Sequence, residues 1–468
     1  MRSAIAALLL VCAPAYAQAP LAERVTATLR AQGPGTRFGL VVADADGREI
    51  VAIAPDDRFV PASNTKLFTT AVAFAALGDM TRDDAEGGAA VRLEGTDVVL
   101  EGRGDARLSS AADCVRDCLA VLADAVAARV RVVRNVVGDD TLFPDERWSP
   151  GMSWNNIETR SGTGISALTL DDNEVVLRVT PAGAIEGSGY YRIDGRVSPG
   201  GSTALRFSRM PGGHQVRVDG TIRSDGVAEV LRLGLDDPAH YAAWRLRGML
   251  VERGVRVTGA VAVRHRPLIP ADDPSVRGDT PPARPPRRAP LAQLTAPPLI
   301  EDLGVINKAS QNVHAELLIR RVGLVAGTGS IADGQAAVRA MLEQAGVERW
   351  RYDFADGSGM SSYNRVSPRG VVRFLAWTQG QPWGAAFRGT LPVSGVDGTL
   401  RRRFAGTPLA GKVFAKTGTL NAASGLAGFM TAASGRTLIF ASYAADMPAD
   451  ASASAAVDAA LLLIAAES

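Results

Sequence analysis

The stretch PASNTK at residues 61–66, followed by the almost wholly apolar run from Leu67 to Leu77, sets the first constraint on the fold. The apolar run predicts a buried helix that the chain enters at Ser63. At i, i+3 spacing, Ser63 and Lys66 present a hydroxyl and an amine on one face, one turn apart. A serine needs a base to become a nucleophile, and a buried lysine is such a base because burial favours its neutral form. The same residues also fit an N-cap serine followed by a surface lysine.

The use of lysine in this chain points to the same residues. Of the 51 lysines and arginines, only Lys66, Lys308, Lys412 and Lys416 are lysines. A guanidinium group does not lose its proton in proteins, so a chain this rich in arginine must still use lysine wherever an amine has to deprotonate. Each lysine is therefore a candidate for chemistry.

A second motif is Lys416, Thr417, Gly418 and Thr419, which follows a predicted strand from Val413 to Lys416. Gly418 lets another backbone approach closely, the two threonine hydroxyls can hold a carboxylate, and Lys416 supplies positive charge. The motif alone also fits a surface turn. Between two predicted strands, it is typical of a substrate-binding sheet edge.

A third motif is Ser310, Gln311 and Asn312. Alternation places Ser310 and Asn312 on one side of a short turn, where Ser310 could relay a proton between Lys416 and a leaving amine. Asn312 could hold Lys66 and the substrate backbone. These residues also fit a cap for a helix beginning near Val313. The order S-x-x-K, S-x-N, K-T-G favours the catalytic interpretation.

With these motifs the sequence resembles the penicillin-binding enzymes, specifically the carboxypeptidase family peptidase S13, over nearly the whole mature chain. The resemblance implies that Ser63 is the acylated nucleophile and Lys66 its base, and that the backbone N–H groups of Ser63 and Thr419 form the oxyanion hole. It extends to segments at residues 102–105, 138–154, 356–359 and 391–399.

The resemblance also implies the architecture. We expect an α+β protein with a penicillin-binding/β-lactamase-like domain, an antiparallel sheet flanked by helices, into which two mostly β domains are inserted. The gap of 247 positions between Ser63 and Ser310 leaves room for them. The predicted boundaries are 18–81 and 291–468 for the catalytic domain, 82–160 and 262–290 for the second domain, and 161–261 for the third. A change of composition at residue 82 and a proline-rich connector at 266–298 fit this division.

The inserted region reads as short alternating strands, among them Val130 to Val136, with one helix around Ala111 to Ala128. Helical periodicity returns at Leu299 to Gly323. Cys114 and Cys118 would lie on one face of the helix around Ala111 to Ala128, and the sequence leaves a disulfide and two free thiols equally open.

The first residues predict a signal peptide at 1–17. Arg2 gives a basic start, residues 4–12 an apolar run, and residues 15–17 a small-x-small cleavage site. The run is too short to span a bilayer. We therefore expect a periplasmic or secreted protein. Its net charge of +2 gives no large field to attract nucleic acid, and at most peripheral contact with a membrane is expected.

The resemblance implies a serine-type D-Ala-D-Ala carboxypeptidase or endopeptidase acting on peptidoglycan stem peptides, with β-lactams as covalent inhibitors and neither metal nor cofactor. Two family anchors for the substrate's third residue differ here. Ser362 stands where the family has an arginine, with Arg365 as a candidate replacement, and Asn155 or Asn156 stands where it has an aspartate. The alternatives are a non-catalytic periplasmic scaffold that binds muropeptides, and a β-lactamase or esterase.

Overall fold

The computed structural model describes residues 19–31, 35–282, 284 and 286–468. The predicted signal peptide lies outside these residues. The described residues form eleven α-helices: α1 Leu21–Arg30, α2 Thr65–Ala76, α3 Leu119–Arg129, α4 Pro238–Glu252, α5 Pro274–Arg277, α6 Leu299–Gly304, α7 Asn312–Ala326, α8 Ile331–Gln344, α9 Pro368–Gln379, α10 Gly384–Gly389 and α11 Ser454–Glu467.

The same residues form twenty β-strands. They are β1 Arg37–Asp44, β2 Glu49–Ile53, β3 Ala90–Glu94, β4 Asp97–Glu101, β5 Val132–Val133, β6 Val136–Pro144, β7 Glu174–Val179, β8 Ile185–Gly187, β9 Arg192–Gly200, β10 Ala204–Ser208, β11 Gln215–Arg223, β12 Glu229–Gly234, β13 Arg256–Val257, β14 Val261–Arg266, β15 Ala292–Gln293, β16 Tyr352–Asp353, β17 Arg365–Val366, β18 Val413–Leu420, β19 Ala423–Thr431 and β20 Thr437–Ala445.

The principal sheet joins the two ends of the chain in the antiparallel order β18-β19-β20-β1-β2. Side chains alternate across it with the two-residue period of a strand. In β1, Leu40 and Val42 pack with α1 and α11 on one face, whereas Val41 and Ala43 pack with α2, α7 and α9 on the other. Helices therefore cover both faces, and the terminal helix α11 packs on the sheet.

The region between α2 and α6 forms separate sheets. A mixed five-stranded sheet has the order β14-β6-β4-β3-β15, and two three-stranded sheets have the orders β12-β7-β8 and β10-β11-β9. Helices α3 and α4 share a hydrophobic core with these strands. The domain boundaries drawn from the sequence stay a prediction.

Helix α4 was not predicted, although its start carries a recognisable signal. Asp237 caps the helix by accepting a hydrogen bond from the His240 N–H, and Pro238 occupies the first turn. An Asp-Pro pair at this position is a common helix start, because the proline N–H would have had no helical partner.

The predicted helix around Ala111 to Ala128 is wrong in its first half. Cys114 and Cys118 form a disulfide in a non-helical turn, and α3 begins only after it. Asp117, inside that turn, has a φ of 58°, which a right-handed helix does not accommodate. The cysteine pair is thus bridged, but not on the face of a helix.

Three other elements differ from the sequence pattern. The periodic stretch Leu299 to Gly323 is interrupted at Ser310, whose φ is 60° after a π-turn at Val305–Ala309. The predicted strand Val130 to Val136 is divided between β5 and the start of β6. The strand predicted to end at Lys416 continues as β18, so the K-T-G motif lies inside a strand at the sheet edge.

No helix among the described residues is both long and apolar enough to cross a membrane.

Candidate active site

Ser63 lies in a single 3-10 turn, Ala62–Asn64, immediately before α2. Lys66 lies in the first turn of α2, and its Nζ donates a hydrogen bond of 2.9 Å to Ser63 Oγ. The serine–lysine juxtaposition expected from the i, i+3 spacing is therefore present. Ala62 holds a φ of 48°, a strained conformation for a residue with a side chain.

Two glycines allow other segments to approach the serine turn. A Cβ on Gly418 would lie 2.4 Å from the Pro61 carbonyl oxygen, and one on Gly359 would lie 1.9 Å from that of Ala62. Any larger residue would push β18 or the 356–364 loop away. Asn64 adds a buried hydrogen bond of 2.8 Å from its Nδ2 to the Lys416 carbonyl oxygen. The K-T-G strand is thus fixed against the nucleophile.

Lys66 is fully buried and makes two further hydrogen bonds. Its Nζ donates to Asn312 Oδ1 at 2.7 Å and to the Ser358 carbonyl oxygen at 2.6 Å. Burial lowers the pKa of Lys66 to about 7, although the carboxylates of Asp356 and Glu316 partly oppose the shift. Near neutral pH a large fraction of this amine is unprotonated and able to accept a proton.

Lys416 forms a second lysine–serine pair. Its Nζ donates to Ser310 Oγ at 2.9 Å and to the Thr417 carbonyl oxygen at 2.8 Å. Burial, followed by the nearby charge of Lys66, holds the pKa of Lys416 well below its usual range. Both predicted serine–lysine contacts are therefore formed within one cleft.

The carboxylates near Lys66 also accept hydrogen bonds from backbone N–H groups. Glu316 Oε1 accepts the N–H groups of Gly357 and Ser358 at 3.0 and 2.9 Å. Asp356 accepts the N–H groups of Gly359 and Ser361 at 2.9 and 2.6 Å. Together they shape the loop whose Ser358 carbonyl holds Lys66.

A further group anchors the Ser310–Asn312 turn from behind. Asp172 accepts hydrogen bonds from Gln311 Nε2 at 3.1 Å and from His314 Nε2 at 2.9 Å. Burial alone would lower the pKa of His314, but its hydrogen bonds to Asp172 and Asp302 raise it to about 9. His314 is therefore charged at neutral pH, and Asp172 ties it to Gln311.

The remaining predicted site residues border the same cleft. Thr417 Oγ1 donates to Thr399 Oγ1 at 2.8 Å, and Thr419 is exposed beside Gly418. The other two lysines lie outside the site, because Lys308 pairs with Asp397 and Lys412 is exposed. The described residues contain no group of three or more histidine, cysteine or acidic side chains placed to bind a metal.

Sequence reasoning missed four residues that support the site. Glu316 carried a usable signal, since it lies four positions after Asn312 and so on the same face of α7. Asn64 lay inside the first motif and was given no role. Asp172 and His314 are 142 positions apart, and only the fold brings them together.

An antiparallel sheet flanked by helices, with S-x-x-K, S-x-N and K-T-G segments meeting at its edge, defines a serine enzyme of the penicillin-binding class. A sequence profile of the D-Ala-D-Ala carboxypeptidase 3 (S13) family matches residues 21–468. The chain belongs to this family, and the predicted family, fold class and serine-type carboxypeptidase assignment are confirmed.

Individual relatives and solved structures support the same family and fold. A D-alanyl-D-alanine carboxypeptidase from Actinomadura sp. (strain R39) is 33% identical over 430 residues, which cover 85% of this chain and 75% of the relative. The fold is similar to that of penicillin binding protein 4 (dacB) from Haemophilus influenzae, with a TM-score of 0.74, 21% identity, and coverage of 94% and 97% of the two chains. A structure of the same H. influenzae protein complexed with a novel β-lactam gives a TM-score of 0.68 at the same identity and coverage.

Proposed function

We propose that this protein is an exported D-Ala-D-Ala carboxypeptidase or endopeptidase that cleaves peptidoglycan stem peptides through an acyl-enzyme at Ser63. The observation that carries the proposal is the 2.9 Å hydrogen bond from Lys66 Nζ to Ser63 Oγ, made by a fully buried amine with a pKa of about 7. A general base works best with a pKa near the operating pH, and this amine meets that condition.

In the acylation step, Ser63 Oγ attacks the carbonyl carbon of the penultimate D-alanine while Lys66 Nζ takes the hydroxyl proton. The N–H groups of Ser63 and Thr419 stabilise the oxyanion, a role that is worth about 10²–10³ in rate for a single donor. Collapse of the tetrahedral intermediate breaks the peptide bond and leaves an ester on Ser63.

The second lysine–serine pair serves the leaving group. The hydroxyls of Thr417 and Thr419 hold the terminal carboxylate, whose negative charge favours protonation of Lys416. Ser310 then passes a proton from Lys416 to the leaving amine. The proton that Lys66 took from Ser63 then passes to Lys416 and replaces the one given to the leaving amine, so Lys66 is neutral again. Lys66 next takes a proton from the attacking water and returns it to Ser63 Oγ as the ester bond breaks. Cleavage of a terminal D-alanine and cleavage of a D-alanyl cross-link use the same steps.

Two observations support export. The N-terminal sequence has the basic, apolar and small-residue segments of a signal peptide. The bridge between Cys114 and Cys118 is of a kind that persists in oxidising compartments and is rare in the cytosol.

The subsite for the third residue is proposed to be neutral and aromatic. Ser362 Oγ donates to the Gly151 carbonyl oxygen at 2.8 Å, which joins the two loops where the family has charged anchors. Trp154 and Tyr363 are exposed there, at 66% and 63% of their surfaces. Arg365, the candidate replacement, donates from Nη1 to the backbone carbonyl oxygens of Ser362 and Asn364, which holds its side chain against its own loop. We expect muropeptides with an uncharged third residue to be turned over at least as well as those with diaminopimelate.

The acyl-enzyme is tested with a fluorescent penicillin and a D-Ala-D-Ala peptide. A β-lactam offers the same carbonyl to Ser63, so we expect one covalent label per chain and release of D-alanine from the peptide. Ser63→Ala should abolish both.

Each alternative gives a different result. A non-catalytic scaffold would bind peptide but acquire no label, and a β-lactamase would release hydrolysed penicillin at many turnovers per minute. Label on Ser63→Ala equal to that on the unaltered chain would reject the assigned nucleophile.

A further inference from the structure

A cavity of about 890 Å³ lies beside the active site, on the other side of the Ser310–Asn312 turn. Its wall is built by the 106–112 segment, the start of β7 and helix α4, with Asp172 and His314 at the end nearest the cleft. Its volume is at the upper end of the range for sites that enclose small organic ligands.

One arginine of the cavity forms no ion pair with a carboxylate of the described residues. Arg107, Arg116 and Arg232 each form an ion pair with a neighbouring carboxylate. Arg245 instead makes one hydrogen bond, from Nε to Ser110 Oγ at 3.1 Å. In the part of the chain that the structure describes, its two terminal nitrogens have no hydrogen-bond partner and no carboxylate forms an ion pair with it. Two parallel N–H donors with this geometry match a carboxylate.

The rest of the lining suits a ligand that is polar with apolar edges. Asp172, Ser109 and Ser188 offer acceptors and hydroxyls, whereas Val176 and Pro297 offer apolar surface. A sugar ring or an extended peptide presents this mixture of hydroxyl, amide and C–H groups.

The cavity is connected to the nucleophile through contacts. Asp172 in its wall accepts a hydrogen bond from Gln311. The next residue, Asn312, accepts one from Lys66, and Lys66 also donates to Ser63. An extended peptide covers about 3.3–3.6 Å per residue, so three to five residues reach roughly 10–18 Å from the scissile bond. The far end of a substrate bound in the cleft therefore lies on the order of 10–18 Å from Ser63.

We propose that this cavity binds the glycan-linked part of the substrate, a disaccharide-peptide whose free carboxylate lies on Arg245. The proposal rests on the proposed function, since it assigns a second binding site for the same cell-wall peptide. It implies that the enzyme distinguishes cell-wall fragments from short synthetic peptides by contacts far from the serine.

The test measures binding by calorimetry after penicillin has occupied the cleft. The probe is a disaccharide-tripeptide, with a form amidated at its free carboxylates and the tripeptide without sugar as comparisons. We expect the acylated enzyme to bind the disaccharide-tripeptide, and Arg245→Ala to weaken this binding at least tenfold, as for loss of a charge-assisted pair.

Two controls accompany this measurement. The amidated form should bind the unaltered and Arg245→Ala proteins equally weakly. Arg247→Ala, two positions along α4 and outside the cavity lining, is the matched control and should bind like the unaltered protein.

Kinetics give a second readout. In Arg245→Ala the ratio of kcat/KM for a disaccharide-pentapeptide to that for a short acyl-D-Ala-D-Ala peptide should fall about tenfold, through KM.

The proposal is overturned if the acylated enzyme does not bind the disaccharide-tripeptide, or if Arg245→Ala and Arg247→Ala bind it alike. If the tripeptide without sugar binds as tightly as the disaccharide-tripeptide, the cavity binds peptide alone and the proposed glycan contact is wrong. A protein that acquires no penicillin label contradicts the proposed function instead, and the Arg245→Ala comparison on the unlabelled protein then still decides whether the cavity binds the fragment.

Discussion

Lys66 and Lys416 are buried to the same extent, but their surroundings differ in charge. Burial lowers the pKa of both lysines. Near Lys66 the carboxylates of Asp356 and Glu316 oppose this effect, and its pKa is about 7. Near Lys416 the second influence is the charge of Lys66 itself, which lowers the pKa of Lys416 further. Burial thus supplies a neutral amine, while nearby carboxylates decide whether that amine can take up and release a proton near neutral pH.

The strongest test of this comparison replaces Lys66 with arginine. Arginine keeps the positive charge and some hydrogen bonds, but it does not act as a base. We expect Lys66→Arg to lower the rate of penicillin acylation about 10³-fold, within the range for loss of a general base. The measurement is the time course of covalent labelling at pH 7.5.

Lys308→Arg is the matched control. This partly exposed lysine pairs with Asp397 outside the site, and arginine keeps that ion pair, so the labelling rate should stay within about twofold of the unaltered chain. Similar labelling rates for Lys66→Arg and Lys308→Arg would show that proton removal by Lys66 is not required.

The second test concerns Lys416. If this lysine serves the substrate carboxylate and the leaving amine, Lys416→Ala should lower kcat/KM for a D-Ala-D-Ala peptide about 10²-fold, the scale of a lost electrostatic contact in the transition state. A thioester substrate without a terminal carboxylate and with a better leaving group should lose about tenfold less. Equal losses on both substrates would contradict the distinction between the two lysines.

The sequence predicted the members of both lysine–serine pairs because their chemistry is local and their motifs are short. Lys66 follows Ser63 by one helical turn, and the scarcity of lysine marked Lys416 as well. The scarcity did not discriminate among the four, since Lys308 and Lys412 lie outside the site. Lys66 and Lys416 differ from the other two lysines in being fully buried, and burial depends on tertiary packing.

The parts that could not be predicted depend on backbone conformations or on long-range contacts. Ser310 interrupts a helical pattern with a left-handed conformation, and Asp117 does the same ahead of α3. Side-chain periodicity contains no information on either turn. Asp172 reaches the Ser310–Asn312 turn from the inserted region, so no spacing in the sequence relates it to the catalytic motifs.

A smaller effect is expected when one carboxylate near Lys66 is neutralised. The negative charge of Asp356 raises the pKa of Lys66, so Asp356→Asn should lower that pKa further. The acid limb of the labelling rate, which follows the neutral fraction of Lys66, should move about one unit to lower pH, the shift that about 1.4 kcal/mol produces.

Thermal unfolding provides the control for Asp356→Asn, because Asp356 also shapes the loop through its backbone hydrogen bonds. A lower melting temperature with an unmoved acid limb would assign Asp356 to loop structure alone.

The smallest effect is expected at Asp172, which holds the turn that carries the partners of both lysines. Asn at this position keeps an acceptor for His314 but removes the charge that helps to raise the pKa of His314 to about 9. A group whose pKa is raised on folding contributes stability in full below its unfolded pKa of about 6.5, and that stability is lost as the pH rises through about 9. Asp172→Asn should therefore lower the free energy of unfolding by about 1 kcal/mol at pH 6, since Asp172 is partly exposed and its charge is screened.

At pH 10 the difference should nearly vanish, because His314 is then neutral in both proteins. The same variant should lower kcat/KM several-fold, since the turn positions Asn312 for Lys66 and Ser310 for Lys416 together. Urea titrations at the two pH values separate this electrostatic contribution from simple loss of packing, which would be equal at both. An equal loss of unfolding free energy at pH 6 and pH 10 would mean that Asp172 supports the turn by packing and hydrogen bonding alone. The charge interaction between Asp172 and His314 would then contribute nothing to the turn that carries the partners of both lysines.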